Sequence, residues 1–455
     1  MQPISRRHVL SALALAPLAA CTPDPTPPST SPTPSATPTQ WPERAGDKLS
    51  IDAAVFDGAF GTAYVQLAAD LLTKAYPSVT TKVTALEKVN EELKARFADG
   101  ATPPDLIDNS GADPLPVAEM LDQFLPLDDV IAATNSQGEV ISETLHTGAL
   151  NPGKVGDDLM AVNYAVSVYG LWYSAALFAA EGWAVPTTWD DLLELGDTAR
   201  GLDKYLFVWG DDAATYYQEL AVSSAIKEGG HDVRKALDNL DSGCWEHPAV
   251  MGVLEQLELC VKEGFFLHGG PYLDAQAEWS DRQLALLYPS GAWIAHEMIE
   301  RTAENFEMTV AAAPTLTSSP TLPITAIHSA SMEPFVVPAK AANPDGGKAL
   351  LKMMLSPEVA QEFTRTNLMP TIVRNSIPTD LKSSALTSQT RLLADAGEDV
   401  FTWRFNDYYG LNVEQGELWA RFLSNQLSAA SLAEQLQEIT DRVRNDPKVE
   451  RYTVS

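Results

Sequence analysis

The sequence predicts an α/β fold in two lobes, each a mainly parallel sheet flanked by helices. Three observations carry that expectation. Strand and helix patterns alternate from Leu49 to Phe124, a second alternation runs from Tyr205 onward, and the stretch Asn163 to Leu193 stands between them. Strands that alternate with helices over short loops build parallel sheets with helices packed on their faces. A chain of 455 residues is long enough for two such bodies.

Leu49 to Phe56 alternates and reads as a strand leaving through the loop Asp57-Gly58-Ala59-Phe60-Gly61. Thr62 to Tyr76 is an amphipathic helix with Tyr64, Leu67, Ala68, Leu71 and Leu72 on one face, broken by Pro77. Val79 to Leu86 is a strand, Lys88 to Ala98 a charged helix, Asp105 to Asn109 a short strand, and Val117 to Phe124 a helix. The β-branched and aromatic run Val166 to Tyr173 reads as one buried strand. Ser174 to Glu181 is a short helix stopped by Gly182, and Thr188 caps the next helix with Asp191 at its third position. Farther on, Tyr205 to Gly210, Gln283 to Tyr288, Phe306 to Ala313 and Phe335 to Pro338 read as strands. Tyr216 to Glu228, Pro248 to Glu263, Pro344 to Thr366 with a break at Ser356-Pro357, Gln415 to Ser428 and Ser431 to Val443 read as helices. The turn-rich segment Pro314 to Pro323 is expected to carry the chain back between the lobes.

Cysteine spacing argues against a disulfide. In the Pro248 helix, Cys260 lies about 18 Å along the axis from the start, whereas Cys244 sits just before that start and a bridge needs Cα atoms within about 7 Å. Two buried free thiols are expected.

The N-terminus carries a different kind of signal. Ser5-Arg6-Arg7 supplies positive charge, Val9 to Leu18 is apolar, and Leu18-Ala19-Ala20-Cys21 closes the run with small residues before a cysteine. Residues 1–20 read as a secretory signal, and the twin arginine as export in a folded state. The Leu-Ala-Ala-Cys ending resembles a bacterial lipoprotein box, which implies cleavage before Cys21 and lipid attachment to its thiol. Residues 21–46 are Pro, Ser and Thr in near alternation, a tether that could reach some 70 Å at about 3.1 Å per residue. The protein is therefore expected on the extracellular face of the membrane, held by its lipid. Lys+Arg 31 against Asp+Glu 61 gives a net charge of −30, which repels phosphate backbones and argues against nucleic acid as a partner.

Catalytic patterns fall short. His296-Glu297-Met298-Ile299-Glu300 begins like a zinc-protease helix, but Glu300 stands where the second histidine is needed. Pro289-Ser290-Gly291 lacks the leading glycine of a nucleophile elbow, since Tyr288 is there. No phosphate loop is present, and no cofactor, metal or catalytic residue is expected. The ten tryptophans say more. Trp209, Trp293 and Trp403 fall at strand ends or in loops, where indole rings can stack on the C–H faces of sugars. Trp172, Trp183 and Trp189 lie on packing elements and are assigned to the core. Ligands of parallel α/β sheets bind outside the carboxyl ends of strands, which singles out the loops Asp57–Gly61 and Asn109–Asp113.

Gly170-Leu171-Trp172-Tyr173 followed by Pro186-Thr187-Thr188-Trp189-Asp190-Asp191-Leu192 resembles the signature of the family 1 extracellular sugar-binding proteins of ABC importers. Ser174 departs from the Asn usual after the Tyr. Gly100-x-x-Pro103-Pro104-Asp105, the Ser290-Gly291-Ala292-Trp293 loop and Glu333-Pro334-Phe335-Val336-Val337-Pro338-Ala339-Lys340 extend the likeness from about residue 47 to the end. Met332 to Phe335 and the tail Asp441 to Tyr452 resemble the lipid-anchored subgroup that binds N-acetylglucosamine and its β-1,4 dimer.

The resemblance implies a two-lobed periplasmic-binding-protein-like fold of type II, with a ligand cleft between the lobes. Lobe 1 would comprise 47–162 and 324–372, and lobe 2 would comprise 163–323 and 373–455. It implies capture of a sugar, delivery to membrane permease subunits, no reaction and a monomer. Family ligand positions fall on the loop Asp57–Phe60, with Asp57 and Phe60 as candidates, and on Asn109, Trp209, Tyr216, Trp293 and Trp419; Ser290 is a further candidate on the Trp293 loop, and polarity and loop position add Glu333, Trp403 and Arg404. Alternatives are a secreted glycoside hydrolase on similar glycans and a binding protein for peptides or another non-sugar solute.

Overall fold

The computed structural model describes residues 49–454 except 59, 99, 112–113, 118–119, 147 and 450. The expected signal sequence, Cys21 and the expected tether lie outside the described residues. The strands in chain order are β1 (Leu49–Phe56), β2 (Val79–Leu86), β3 (Leu106–Asp108), β4 (Lys154–Val155), β5 (Asp158–Leu159), β6 (Val162–Val168) and β7 (Gly170–Ser174). They continue with β8 (Tyr205–Trp209), β9 (Phe266–His268), β10 (Ala285–Ser290), β11 (Met308–Ala311), β12 (Ile327–Val336) and β13 (Val400–Phe401).

The first sheet has the order β13-β12-β3-β1-β2, with β6 also paired to β12. β1 runs parallel to β2 from Leu49↔Val79 to Phe56↔Leu86, and parallel to β3. Apolar side chains face both ways from β1, because helices cover both faces: Ile51, Ala53, Ala54 and Val55 are all buried. The helix Ala63–Ala75 packs Tyr64, Val65, Ala68, Ala69 and Leu72 inward and stops short of Pro77. Of the helix expected over 117–124, the described residues show one 3-10 turn, Leu121–Gln123. Tertiary contacts hold the end of that segment in place: Phe124 is buried against Phe97 and forms a bridge to Pro338.

The second sheet has the order β11-β7-β10-β8-β9. β8 is parallel to β9 and β10, while β7 is antiparallel to β10 and β11. The apolar run expected to form one strand from Val166 to Tyr173 is thus two strands in different sheets, divided at Tyr169. The alternation does not announce the division, because both halves are buried and both stay extended. Gly170 does mark it: a Cβ there would sit 2.2 Å from the Ala311 carbonyl oxygen.

β12 is longer than the Phe335–Pro338 strand expected. Its first half is hidden in the sequence by Glu333-Pro334, and Glu333 holds a left-handed φ of 61°. The strand pairs with β6 from Ser329↔Val168 to Phe335↔Val162, and with β3 at its end. Parallel and antiparallel pairs therefore mix in both sheets.

The helices flanking the crossing form as their caps predict. Ser174 accepts from Leu177 N–H at 3.1 Å, Gly182 closes that helix at φ 71°, and Thr188 with Asp191 makes a complete capping box for Trp189–Gly201. Trp172 and Trp189 are fully buried, and Trp183 packs partly buried against the second core. Helices His231–Asp238, Tyr272–Ser280 and Ser384–Ala396 were not legible in the sequence. Cys244 and Cys260 are free and buried, and burial pushes both thiols up to about 12, so neither is a nucleophile at neutral pH. Lys227 is also fully buried, pushed down to about 7 by desolvation. Its ammonium donates to the carbonyls of Ala313 and Ile324, pinning the segment that returns toward β12. Among the described residues, no helix is long and apolar enough to cross a membrane.

Candidate functional site

Parallel pairing sends the exits of β1 and β3 to one edge of the first sheet, and those of β8 and β10 to one edge of the second. β12 enters the first of these edges from the opposite direction, placing Glu333 just beyond Asp108. These edges are where such sheets bind ligands.

At the first edge the Phe56 ring lies between two loops. A Cβ on Gly58 or Gly111 would come within 2.0 Å or 2.6 Å of it, so glycine at both positions makes room for the ring. Asp57 is exposed. Phe60 is buried, 5.5 Å from Phe363, as a core ring. Asn109 is held by its own loop: Oδ1 accepts from Leu115 N–H at 2.7 Å and Nδ2 donates to the Leu115 carbonyl at 3.1 Å. Beneath it sit Asp108, fully buried, and Glu333, 7% exposed. The Ser110 hydroxyl donates to Asp108 Oδ1, and the Tyr64 phenol lies within hydrogen-bonding reach of the same carboxyl. The Glu333 carboxyl lies within hydrogen-bonding reach of Asp108, and burial lifts both, Glu333 to about 7. Two carboxyls in contact cannot both ionise cheaply, so the pair shares a proton at neutral pH.

At the second edge, Trp293 is half-buried with its ring folded over Gly291, where a Cβ would come within 2.0 Å. Its Nε1 donates to the Tyr216 hydroxyl at 3.1 Å, and its ring meets Tyr169 edge-on at 5.6 Å. Glu297, raised by burial, accepts from Gln276 Nε2 at 2.9 Å and lies near enough to Tyr216 and Tyr272 to raise both phenols further. Ser290 is buried; its carbonyl accepts from Trp172 Nε1 at 3.0 Å and its hydroxyl has no partner. Trp209 is buried with its ring 4.3 Å from His268, which bonds Asp211 at 2.6 Å. The result is an indole and two phenols beside a carboxylate, suited to apolar stacking combined with hydrogen bonding. Gly291→Ala is expected to push the indole off its loop and break the bond to Tyr216 without unfolding the sheet. A crystal structure of the variant checks this, and an indole still bonded to Tyr216 would contradict the packing.

The remaining sequence candidates lie elsewhere. Trp419 is fully enclosed in the second core, 5.8 Å from Phe422, with no ring face free. Trp403 is stacked between His328 at 5.1 Å and Phe405 at 5.0 Å. Arg404 commits its guanidinium to the Pro152 carbonyl and to two tyrosine rings. Strand-end position signals Trp293 but cannot separate it from tryptophans that follow a strand and turn inward. Phe56, Asp108, Tyr169, Tyr272 and Glu297 also stand at these edges and were not among the sequence candidates. Phe56 alone had a signal, as the aromatic ending a strand just before Asp57-Gly58. Among the described residues, no group of His, Cys, Asp or Glu is placed to hold a metal ion.

The family model for bacterial extracellular solute-binding proteins matches residues 58–361. The diacetylchitobiose-binding protein NgcE of Streptomyces coelicolor is 44% identical over 418 residues, covering 91% of this chain and 89% of that one. The chain belongs to the bacterial extracellular solute-binding protein family. Solved structures agree on the fold. Apo RafE from Streptococcus pneumoniae superposes with a TM-score of 0.70 at 18% identity, covering 87% of this chain and 98% of that one. A chitin oligosaccharide binding protein superposes at 0.69 and 18% identity, covering 88% and 100%. The fold is the two-lobed one of these solute-binding proteins. The curated relative is a binding protein rather than an enzyme.

Proposed function

We propose that this solute-binding protein captures an amino sugar or a short β-linked oligosaccharide of the diacetylchitobiose type and delivers it to the membrane subunits of an ABC importer. The 44% identity to a diacetylchitobiose-binding protein over nearly the whole chain carries the reading. The second-edge cluster supports it. Trp293 offers a ring for the sugar's C–H face, while Tyr216, Tyr272 and Glu297 supply hydroxyl and carboxylate groups for its polar edge. Asp57 would face the ligand from lobe 1, and Tyr216, Tyr272 and Trp293 from lobe 2, whereas Asn109, Glu333, Trp209 and Ser290 are buried and would support the two edges from behind. A ligand that contacts both edges favours the closed arrangement by its differential affinity, so capture is a population shift without a chemical step. The lipid on Cys21, export by the twin-arginine route and the Pro/Ser/Thr tether would hold a monomer on the extracellular face of the membrane.

Titration of N,N′-diacetylchitobiose, N-acetylglucosamine, raffinose and a peptide pool into the purified protein tests the reading. A ligand at 100 times its Kd raises unfolding free energy by about 2.7 kcal/mol, so chitobiose should raise the melting temperature and raffinose should not. Silence with every saccharide, or cleavage of the disaccharide at catalytic rates, would falsify it.

A further inference from the structure

The chain beyond the helix Ala429–Asn445 ends against the second core. Asn239 holds Val454 by both backbone groups, donating to its carbonyl at 2.9 Å and accepting from its N–H at 2.8 Å. Arg451 donates to the Asn239 carbonyl. The Tyr452 hydroxyl donates to Asp238 Oδ1 at 2.5 Å, while its ring stacks on Tyr409 at 5.7 Å and meets Tyr408 edge-on at 4.5 Å. Asp238, 1% exposed, also accepts the backbone N–H groups of Arg404 and Phe405 at 2.9 and 3.1 Å.

The Arg404 side chain is held in the same place. Its guanidinium carbon lies 4.9 Å from the centroid of the Tyr452 ring and 5.8 Å from that of Tyr408. From there Nη1 donates to the Pro152 carbonyl at 2.9 Å. Pro152 belongs to the turn Asn151–Gly153, on the side of the first sheet. The Gly153 carbonyl accepts from the N–H groups of Met160 and Ala161 at 2.9 and 3.0 Å, and Ser331 of β12 donates to the Ala149 carbonyl at 3.0 Å. Arg404 therefore reaches from a residue anchored in the second core to a turn fastened to the first sheet. A free arginine side chain samples many rotamers, and a planar guanidinium set against phenol rings is confined to few.

We propose that Arg451 to Val454 form a strap whose Tyr452 ring positions Arg404 against Pro152, and that this tie braces one lobe on the other during sugar capture. The inference rests on the sugar-binding reading above. Arg404 and Tyr452 are positioning residues: they act on the arrangement of the two edges and touch no ligand. Loss of the tie leaves the lobes less preorganised, so more of the binding free energy goes into ordering them.

Calorimetric titration of N,N′-diacetylchitobiose into Arg404→Ala, Tyr452→Ala and the double variant tests this. Each single variant should bind about tenfold more weakly, and the double variant no more weakly than either, because both remove one tie. Additive losses, or unchanged or tighter binding in either single variant, overturn the proposal. Tyr452→Leu, which removes the ring and leaves an apolar side chain in its place, replaces Tyr452→Ala in the singles and the double if that variant does not fold. A wild-type protein that binds no saccharide sinks the sugar reading instead. The strap is then judged by X-ray scattering of the same variants, where equal changes in radius of gyration in the singles and the double support it, and unchanged scattering overturns it.

Discussion

Trp419→Ala is expected to lower the unfolding free energy by about 3–5 kcal/mol, the usual cost of emptying a buried indole site. Trp293→Ala should cost much less stability and instead weaken sugar binding by about 1–3 kcal/mol, as loss of an aromatic anchor does. The two tryptophans look alike in the sequence, each in a stretch where the family places ligand contacts. Their surroundings differ. Trp419 is fully enclosed, and its Nε1 has no hydrogen-bond partner, so the whole side chain contributes through apolar packing. Trp293 is half-buried, uses Nε1 on Tyr216, and lies over a glycine rather than inside a closed shell. Denaturant melts and calorimetric titrations of both variants separate the roles. A Trp293→Ala protein with full affinity and a large drop in melting temperature would make that ring core as well.

Glu333→Gln is expected to remove a pH-dependent share of stability. Burial raises the Glu333 carboxyl from its ordinary 4.5 to about 7, beside Asp108, which is raised well above its usual range for the same reason. The folded state thus binds this proton more tightly than the unfolded chain does. Its contribution is full below about pH 4.5 and is lost as pH rises through about 7, a span worth about 3 kcal/mol. Hydrogen bonds from Ser110 and Asp108 pull Glu333 back only in part, and burial outweighs them. Ser110 already donates to Asp108, and Tyr64 and Tyr164 are themselves buried phenols raised above their usual value. Glutamine mimics the protonated acid at every pH. The stability of the variant relative to wild type should therefore improve by about 3 kcal/mol between about pH 5 and about pH 8. Parallel stability curves across that range would show that the carboxyls do not share a proton. The left-handed backbone at Glu333 costs on the order of 1–3 kcal/mol, so Glu333→Gly should relieve strain while losing the pair.

Much of the fold was legible because it rests on local signals. The Thr188–Asp191 capping box, the Ser174 cap with Gly182 as its stop, and the Ser356-Pro357 break each act within a few residues, and each forms as read. Errors concentrate where the sheets meet. The division of the Val166–Tyr173 run depends on which partner strand each half finds, β12 or β10, more than a hundred residues away. The early half of β12 was invisible because Glu333-Pro334 reads as a break, yet β6 and β3 pair on either side of it.

By itself, the sequence determined the fold class, the order of most elements and the strand ends at which a ligand can sit. Strand pattern and helix caps are short-range, and chain direction alone decides which end of a parallel strand carries its exit loop. Only the tertiary structure decided which side chains remain available there. Trp293 stays half-buried, while Trp403 is covered by His328 and Phe405 and Trp419 is enclosed in the second core. Asn109 is held by Leu115, and Arg404 by Pro152 and Tyr452. Exposure and hydrogen-bond partners are properties of the packed neighbourhood, and a residue's own type and position in the chain do not specify them.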